Sequence, residues 1–481
     1  MPFRSPSDPT VRRLSGLDAG LLSLEMSDQP MQSVALGMIC AHTGAHFTLD
    51  DLHRHLATRL DQLPAFRWRV VALPLGLAHP VFVDDPQFDL ADHLWHAVLP
   101  EPGGPEELDA ACAQLASQCL DRSRPLWRIT LIDGLADGRQ AVVLEIHHAL
   151  MDGSAIRTTL ARAFSEEQPS ALRLPWQPGR IPGRVPLIAG AVAHNFRILA
   201  RLPGLVSRTR RATVAVRQRR ATVAVKVPKA FVDTPPSVIN QGFTRERRFA
   251  RASLPLDSVL AVKNDACATV NDVALALVGS SLRHYLQARG ALPDRSLVAN
   301  VPIGMEELDA IPRAAGNRFS RLTTSLATDV ADPWERLQRI SAVTAEAKAR
   351  LDLAGREMLT DWLEYLPPML ISRIVRHSQA GRRRPGKGRG KLDANVVVSN
   401  LRGPSVPWQL GSTVVEEMYL AGPPNNGVGV NFAFWDYAGR LLFGILSFAD
   451  SVEEPGELAV HLSHSLEELV AAAECRRVST A

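Results

Sequence analysis

Glu145-Ile146-His147-His148-Ala149-Leu150-Met151-Asp152-Gly153 is the stretch on which the reading of this chain turns. It follows an apolar run, Ala141-Val142-Val143-Leu144, whose composition predicts a buried strand. It precedes Ser154 to Phe164, which reads as a helix. Two histidines at the end of a strand, an Asp-Gly turn and a helix start together make a place for chemistry. Successive strand side chains point to opposite faces, so if both histidines keep strand geometry only one of them faces a given cavity.

A neutral imidazole near pH 7 can take a proton from a hydroxyl and return it to a leaving group. An aspartate four residues on, Asp152, can fix the turn through local hydrogen bonds or an arginine partner. Gly153 permits a backbone angle or a close approach that a side chain would forbid. The plain alternative is a solvent-facing histidine pair before an ordinary turn. A metal site of His, His and Asp is a third reading, but no Cys or Glu stands at a supporting spacing, and no metal is expected there.

Length and composition bound the rest. A chain of 481 residues predicts two domains. Hydrophobic residues make up 46% and charged residues 22%, a globular mixture, and a net charge of +4 excludes a general polyanion binder. The five cysteines show no CxxC spacing, which suggests reduced thiols and a cytosolic protein. No apolar run of about 18 residues is present, so contact with a membrane is expected to be peripheral.

His147-His148-x-x-x-Asp152-Gly153 resembles the HHxxxDG signature of acyltransferases built like chloramphenicol acetyltransferase. Other segments resemble one branch, the bacterial wax ester synthase/diacylglycerol acyltransferases, over nearly the whole chain. Leu14-Ser15-Gly16-Leu17-Asp18-Ala19 is similar to that family's opening, and Pro64-Ala65-Phe66-Arg67-Trp68-Arg69 to its xPxFRxR segment. The Arg and Trp residues there read as a half-exposed strand face. Pro125-Leu126-Trp127 resembles a further marker; Trp127 either paves an acyl channel or fills the core. Thr269-Val270-Asn271-Asp272-Val273 resembles the family's TVNDV, which implies a place across from the histidines. There the Asn271 amide could donate to an oxyanion and Asp272 could meet substrate; the alternative is that both serve the helix start. Gly316-Asn317-Arg318-Phe319-Ser320 resembles the GNxxS turn. Ser399-Asn400-Leu401-Arg402-Gly403-Pro404 resembles SNxPGP, with Arg402 where Pro is usual, and Ser399 and Asn400 either support substrate or make a strand-end turn. Val301-Pro302 is followed by Ile303-Gly304-Met305 where the family has Ser-Val-Arg, which puts any role of a basic residue there in doubt.

Local signals predict a helix from Asp50 to Leu60 capped by Asp50 or Asp51, one from about Pro105 to Cys119, and one opened by Asp332-Pro333. Val428 to Phe434 and Leu441 to Phe448 predict a hairpin, and a helix is expected from about Pro455. From Gln168 to Val232 there is no acidic residue, and Arg197, Arg201, Arg208, Arg210, Arg211, Arg217, Arg219 and Arg220 alternate with apolar pairs. This predicts a partly helical, amphipathic crossover that either binds an anionic lipid surface or is a solvated linker. Without aromatic interleaving or a recognised fold signature, nucleic acid is not an expected partner. Gly381 to Lys391 reads as a cationic loop, most simply a solvated one.

The expected fold is α/β. It has two chloramphenicol-acetyltransferase-like domains, 1–175 and 237–481, joined by the basic crossover 176–236, with the active-site channel between them. The resemblance implies an enzyme that moves a long-chain fatty acyl group from acyl-CoA, a co-substrate rather than a cofactor, to diacylglycerol or a long-chain alcohol. His148 would be the general base, with His147 and Asp152 holding its geometry, Asn271 as oxyanion donor and Gly153 at the substrate. No acyl-enzyme is expected, since the chain has no G-x-S-x-G elbow. A cytoplasmic protein attached peripherally to the inner membrane or to lipid droplets follows from the same resemblance. The alternatives are a carrier-protein-dependent condensation or polyketide-type acyltransferase, and an inactive homologue that coats lipid droplets.

Overall fold

The computed structural model describes residues 11–25, 29–41, 46–164, 181–305, 312–367, 370, 373, 392–411 and 413–480. The cationic loop 381–391 and the first proposed domain boundary lie outside the described residues.

The strand Gln140–His147 is buried at every position because it is interior to a six-stranded sheet. It runs antiparallel between Gln32–Ala41 and Trp127–Asp133, with Gln32 opposite His147 and Trp127 opposite Ile146. Leu94–Val98 adds in parallel on the outer side. Both faces of Gln140–His147 are covered, so its sequence is a continuous apolar run rather than an alternation. The exception, Glu145, is neutralised in place. Arg128 on the next strand donates Nε at 2.6 Å and Nη2 at 2.9 Å to its two carboxylate oxygens.

The opposite edge of this sheet comes from the far end of the chain. Thr413–Ala421 pairs antiparallel with Gln32–Ala41, and Trp408–Leu410 pairs outside it. A division of the sequence at residue 237 therefore does not describe these strands, which complete the first sheet from within the 237–481 segment. Their hydrogen-bonding edge, not their position in the chain, decides where they go.

The second six-stranded sheet runs Phe319–Ser325, Val298–Gly304, Val396–Arg402, Val430–Tyr437, Arg440–Phe448, Arg247–Pro255. Val396–Arg402 is parallel to both neighbours, and Val430–Tyr437 and Arg440–Phe448 form the expected hairpin. Its faces alternate as a strand requires. Phe432 and Phe434 enter the core of the second unit, while Ala433, Trp435 and Tyr437 join the core of the first. The two units thus share apolar packing. A three-stranded sheet of Val11–Arg13, Val81–Asp84 and Trp68–Val71 sits to one side.

Local expectations held or moved for identifiable reasons. Asp332 caps Pro333–Ala354 as expected. The helix Leu49–Ala57 is capped by Thr48 instead, because Asp51 closes a capping box back onto it. Phe66, Arg67 and Trp68 are buried, not a half-exposed face. The basic crossover contains a 39-residue helix, Arg184–Thr222, with Pro203 inside it. Leu187 and Ala191 anchor one end of this helix against Val11 and Val81. Arg208 pairs with Asp361 at 3.0 Å and Arg219 with Glu346 at 2.7 Å. No helix among the described residues is long and apolar enough to cross a membrane.

Candidate active site

His147 is the last residue of its strand, and His148 is the first residue of the turn that follows. The His147 ring is completely buried, and its Nδ1 is engaged by the backbone. Nδ1 accepts the Ala149 N–H at 3.0 Å, so a neutral ring carries its proton on Nε2, which lies 3.4 Å from Glu25 Oε2. Glu25 is also met by Arg122 Nε at 2.5 Å. Burial alone would raise the Glu25 pKa, and the contacts with His147 and Arg122 reverse that and hold it below the ordinary value. His147 therefore shapes the turn from beneath.

His148 differs in one respect that matters chemically. Its Nδ1 faces the Met151 carbonyl at 3.3 Å, which places the proton on Nδ1 and leaves the Nε2 lone pair open. The ring lies nearly parallel to Phe319, 6.2 Å between centroids. Burial, the largest influence, lowers its pKa below 6.5 against the opposing effects of Met151 and Asp152. The ring is consequently neutral at pH 7, the form that accepts a proton.

Asp152 does not touch either imidazole as a relay. Its carboxylate caps the next helix by accepting the Ala155 N–H at 3.0 Å. It takes Arg313 Nη2 at 2.9 and 2.8 Å on its two oxygens, and the Arg318 N–H at 2.7 Å. The arginine partner left open by the sequence is Arg313. The segment bearing it docks edge-on to the histidine turn. Gly316 N–H donates to Leu150 O at 2.7 Å and Gly316 O accepts from Asp152 N at 3.3 Å. This bridge needs Gly316 in the left-handed region, φ 76°. Asn317 then fixes the backbone of His148, its Nδ2 donating to His148 O at 2.8 Å. Asp18 Oδ1 in turn receives Asn317 N–H at 2.9 Å and Nδ2 at 2.7 Å. Asp18 is buried, and burial pushes its pKa up to about 6.

Arg313, Asn317 and Asp18 were missed as site residues. Two of them stand in the quoted segments Leu14–Ala19 and Gly316–Ser320, but nothing in those segments alone says that they meet at the histidine turn.

The remaining candidates divide. Gly153 is pressed by the second unit: a Cβ there would stand 2.6 Å from Leu401 Cδ2. Leu401 follows Asn400, whose Nδ2 lies 3.5 Å from Asn271 Oδ1. Asn271 and Asn400 are thus brought together, and the strand that carries Asn400 also touches Gly153. Ser399 is half-buried on the same strand, opposite Ala433. Asp272 closes the capping box at the start of its own helix. One of its carboxylate oxygens, Oδ2, meets the Thr269 N–H at 3.0 Å and Oγ1 at 2.7 Å. Trp127 is a core aromatic, stacked on Phe66 at 4.1 Å and His93 at 4.4 Å, with Nε1 donating to Phe66 O at 2.7 Å. It has no face left for an acyl chain.

A neutral, open-sided imidazole at the seam of two such units defines an acyltransferase of the chloramphenicol-acetyltransferase-like fold. Solved condensation domains share that fold: the first condensation domain of the calcium-dependent antibiotic synthetase gives a TM-score of 0.58 at 15% identity, covering 98% of this chain and 97% of that one. The wax ester synthase/diacylglycerol acyltransferase of Marinobacter aquaeolei is nearer in sequence, with TM-score 0.65 and 28% identity, covering 96% of this chain and 99% of that one. The wax ester synthase/diacylglycerol acyltransferase catalytic domain matches residues 14–274 and the family's C-terminal domain matches 315–470. A Mycobacterium tuberculosis protein named as a diacylglycerol O-acyltransferase is 32% identical over 450 residues, 93% of each chain. Another from that organism, named likewise, is 31% identical over 97% of this chain and 98% of its own. The chain belongs to the wax ester synthase/diacylglycerol acyltransferase family and is an acyltransferase.

Two outcomes follow from this geometry. Gly153→Ala drives a methyl into Leu401, and displacement of the turn is expected to lower kcat by about 10²-fold, the cost of a misplacement near 1 Å. Adding Leu401→Ala should recover most of that loss in the same acyl-transfer assay, and no recovery would mean that the clash is not the cause. Glu364 Oε1 accepts the Gly16 N–H at 2.7 Å. Burial lifts its carboxyl from the ordinary 4.5 to about 7, against that hydrogen bond and with Asp18 adding to the rise. The folded state keeps a proton that the unfolded chain has released, so this stabilising contribution is complete below pH 4.5 and is lost as pH climbs to about 7. Glu364→Gln keeps an oxygen for Gly16 and should flatten the decline of the urea midpoint across that window. An unaltered slope would show that Glu364 is ionised in the folded protein.

Proposed function

We propose that the protein transfers a long-chain fatty acyl group from acyl-CoA to the hydroxyl of diacylglycerol or a long-chain alcohol, with His148 as the general base. The observation that carries this reading is the open Nε2 of His148, whose other nitrogen is committed to Met151. The acceptor oxygen attacks the thioester carbonyl as its proton passes to Nε2. The tetrahedral adduct collapses by breaking the C–S bond, and the same proton goes from Nε2 to the departing coenzyme A thiolate. No bond to the protein forms. Asn271 is the oxyanion donor in this scheme: Asn400 occupies its Oδ1 side, which leaves the Nδ2 hydrogens to donate. The two substrates meet along the seam between the units, beside Gly153 and Leu401.

The acceptor is lipid-borne, and we assign its delivery to a lipid surface, membrane or droplet, met by the helix Arg184–Thr222. Val185, Val192, Phe196 and Leu199 are exposed on it. Arg210, Arg211, Arg217 and Arg220 are exposed further along the same helix. Apolar insertion and cationic attraction together favour an anionic surface. Arg208 and Arg219 are spent on ion pairs within the protein and are not counted among the anchors.

With palmitoyl-CoA and dioleoylglycerol or hexadecanol, His148→Ala should retain less than about a hundredth of the wild-type rate. The acid limb of the wild-type kcat/KM profile should fall below pH 6.5, where burial places this imidazole. Retained turnover, or an acid limb above neutrality, would remove His148 as the base. Replacing Arg210, Arg211, Arg217 and Arg220 with Gln should weaken sedimentation with phosphatidylserine-containing vesicles and leave turnover of a short, soluble alcohol unchanged. Unchanged vesicle binding would rule out the helix as the anchor.

A further inference from the structure

The C-terminal helix Pro455–Thr480 carries His461, His464 and Glu468 on one face. Helical spacing aligns them, since residues three, four and seven apart share a side. That face packs against helix Val270–Ala288, which presents Ser280 and His284 one turn apart. The result is a cluster of three imidazoles and one carboxylate where two helices meet, far from the chemistry described above. His284 stands thirteen residues beyond Asn271 on a single helix, about 20 Å along its axis.

Ligand atoms of His284, His464 and Glu468 all lie within 4.8 Å of one another. His284 Nε2 is 3.6 Å and His464 Nδ1 3.5 Å from the same oxygen, Glu468 Oε1. A tetrahedral zinc ion with bonds near 2.0–2.1 Å separates its ligand atoms by roughly 3.4 Å. The two nitrogen-to-carboxylate separations already match that spacing, and the third separation lies within 4.8 Å. Ser280 Oγ donates to the other oxygen of Glu468 at 3.3 Å, which leaves Oε1 directed at the imidazoles. His461 adds a third ring, 5.5 Å from that of His284.

We propose that His284, His464 and Glu468 form a binding site for a first-row transition-metal dication, zinc above all, that staples helix Val270–Ala288 to helix Pro455–Thr480. Two imidazoles and a carboxylate suit zinc, and they leave a fourth position for water or His461. The affinity should be moderate, because Nδ1 of His284 is buried without an acceptor to fix its tautomer. Since the helix Val270–Ala288 begins at Thr269 beside Asn271, the ion braces the element that bears the oxyanion donor but takes no part in the reaction.

The test uses the full chain, free of any histidine tag, titrated calorimetrically with zinc chloride at pH 7.5. About one zinc per chain in the micromolar range is expected, with a rise in Tm on adding zinc. His464→Ala removes an exposed side chain and should leave the fold intact by circular dichroism. It and Glu468→Gln should each weaken binding more than about a hundredfold, beyond what loss of a supporting group costs, and abolish the rise in Tm. Absence of saturable binding would overturn the proposal. So would binding that survives in both variants, which would place the ion elsewhere on the protein.

Discussion

The pairing of Asp152 with Arg313 is the contact on which the site depends. Side-chain exposure is only 6% for Asp152 and 13% for Arg313, so each would be a costly isolated charge. Removing one partner of such a pair typically costs about 3–5 kcal/mol because the other is left buried. The carboxylate is also the cap of the helix that starts at Gly153, and it receives the Arg318 amide. One side chain therefore ends the histidine turn, begins the next helix and holds the 313–318 segment against both. The signature aspartate acts through the backbone path it enforces, not by handing charge to an imidazole.

That path separates the work of two adjacent histidines. His147 ends a fully paired strand and turns into the core, with Ala149 on one nitrogen and Glu25 near the other. His148 has left the strand, so the alternation of strand side chains no longer governs it. Its carbonyl is held by Asn317 and its Nδ1 by Met151. The base role proposed for His148 needs a fixed tautomer and a fixed position more than a relay partner, and the Met151 carbonyl and the Asn317 amide supply them.

The two units are not separable modules meeting at a soft interface. Thr413–Ala421 completes the first sheet, and alternate residues of Val430–Tyr437 belong to different cores. Arg247, nearly fully buried, donates to Pro30 O at 3.2 Å and pairs with no carboxylate among the described residues; burial lowers its pKa to about 9. It lies over Phe448, 4.6 Å from the ring centroid. A seam built this way holds its two walls in register, which a two-substrate reaction requires.

The sequence by itself determined the elements whose signals are local. The buried strand before the histidines, the Asp332-Pro333 helix start and the hairpin around Ala438-Gly439 follow from periodicity, caps and turn residues within a few positions. The histidine signature and the segments around it also carried the family. Tertiary structure decided what local signals do not encode. It chose Arg313 among many arginines, sent Trp127 into the core with its N–H already used, and inserted Trp408–Leu410 and Thr413–Ala421 into the first sheet. In each case the deciding partner lies far along the chain, 161 residues away for Asp152 and Arg313. Which distant groups meet is settled by shape and desolvation once the chain is compact, and a linear pattern does not record it.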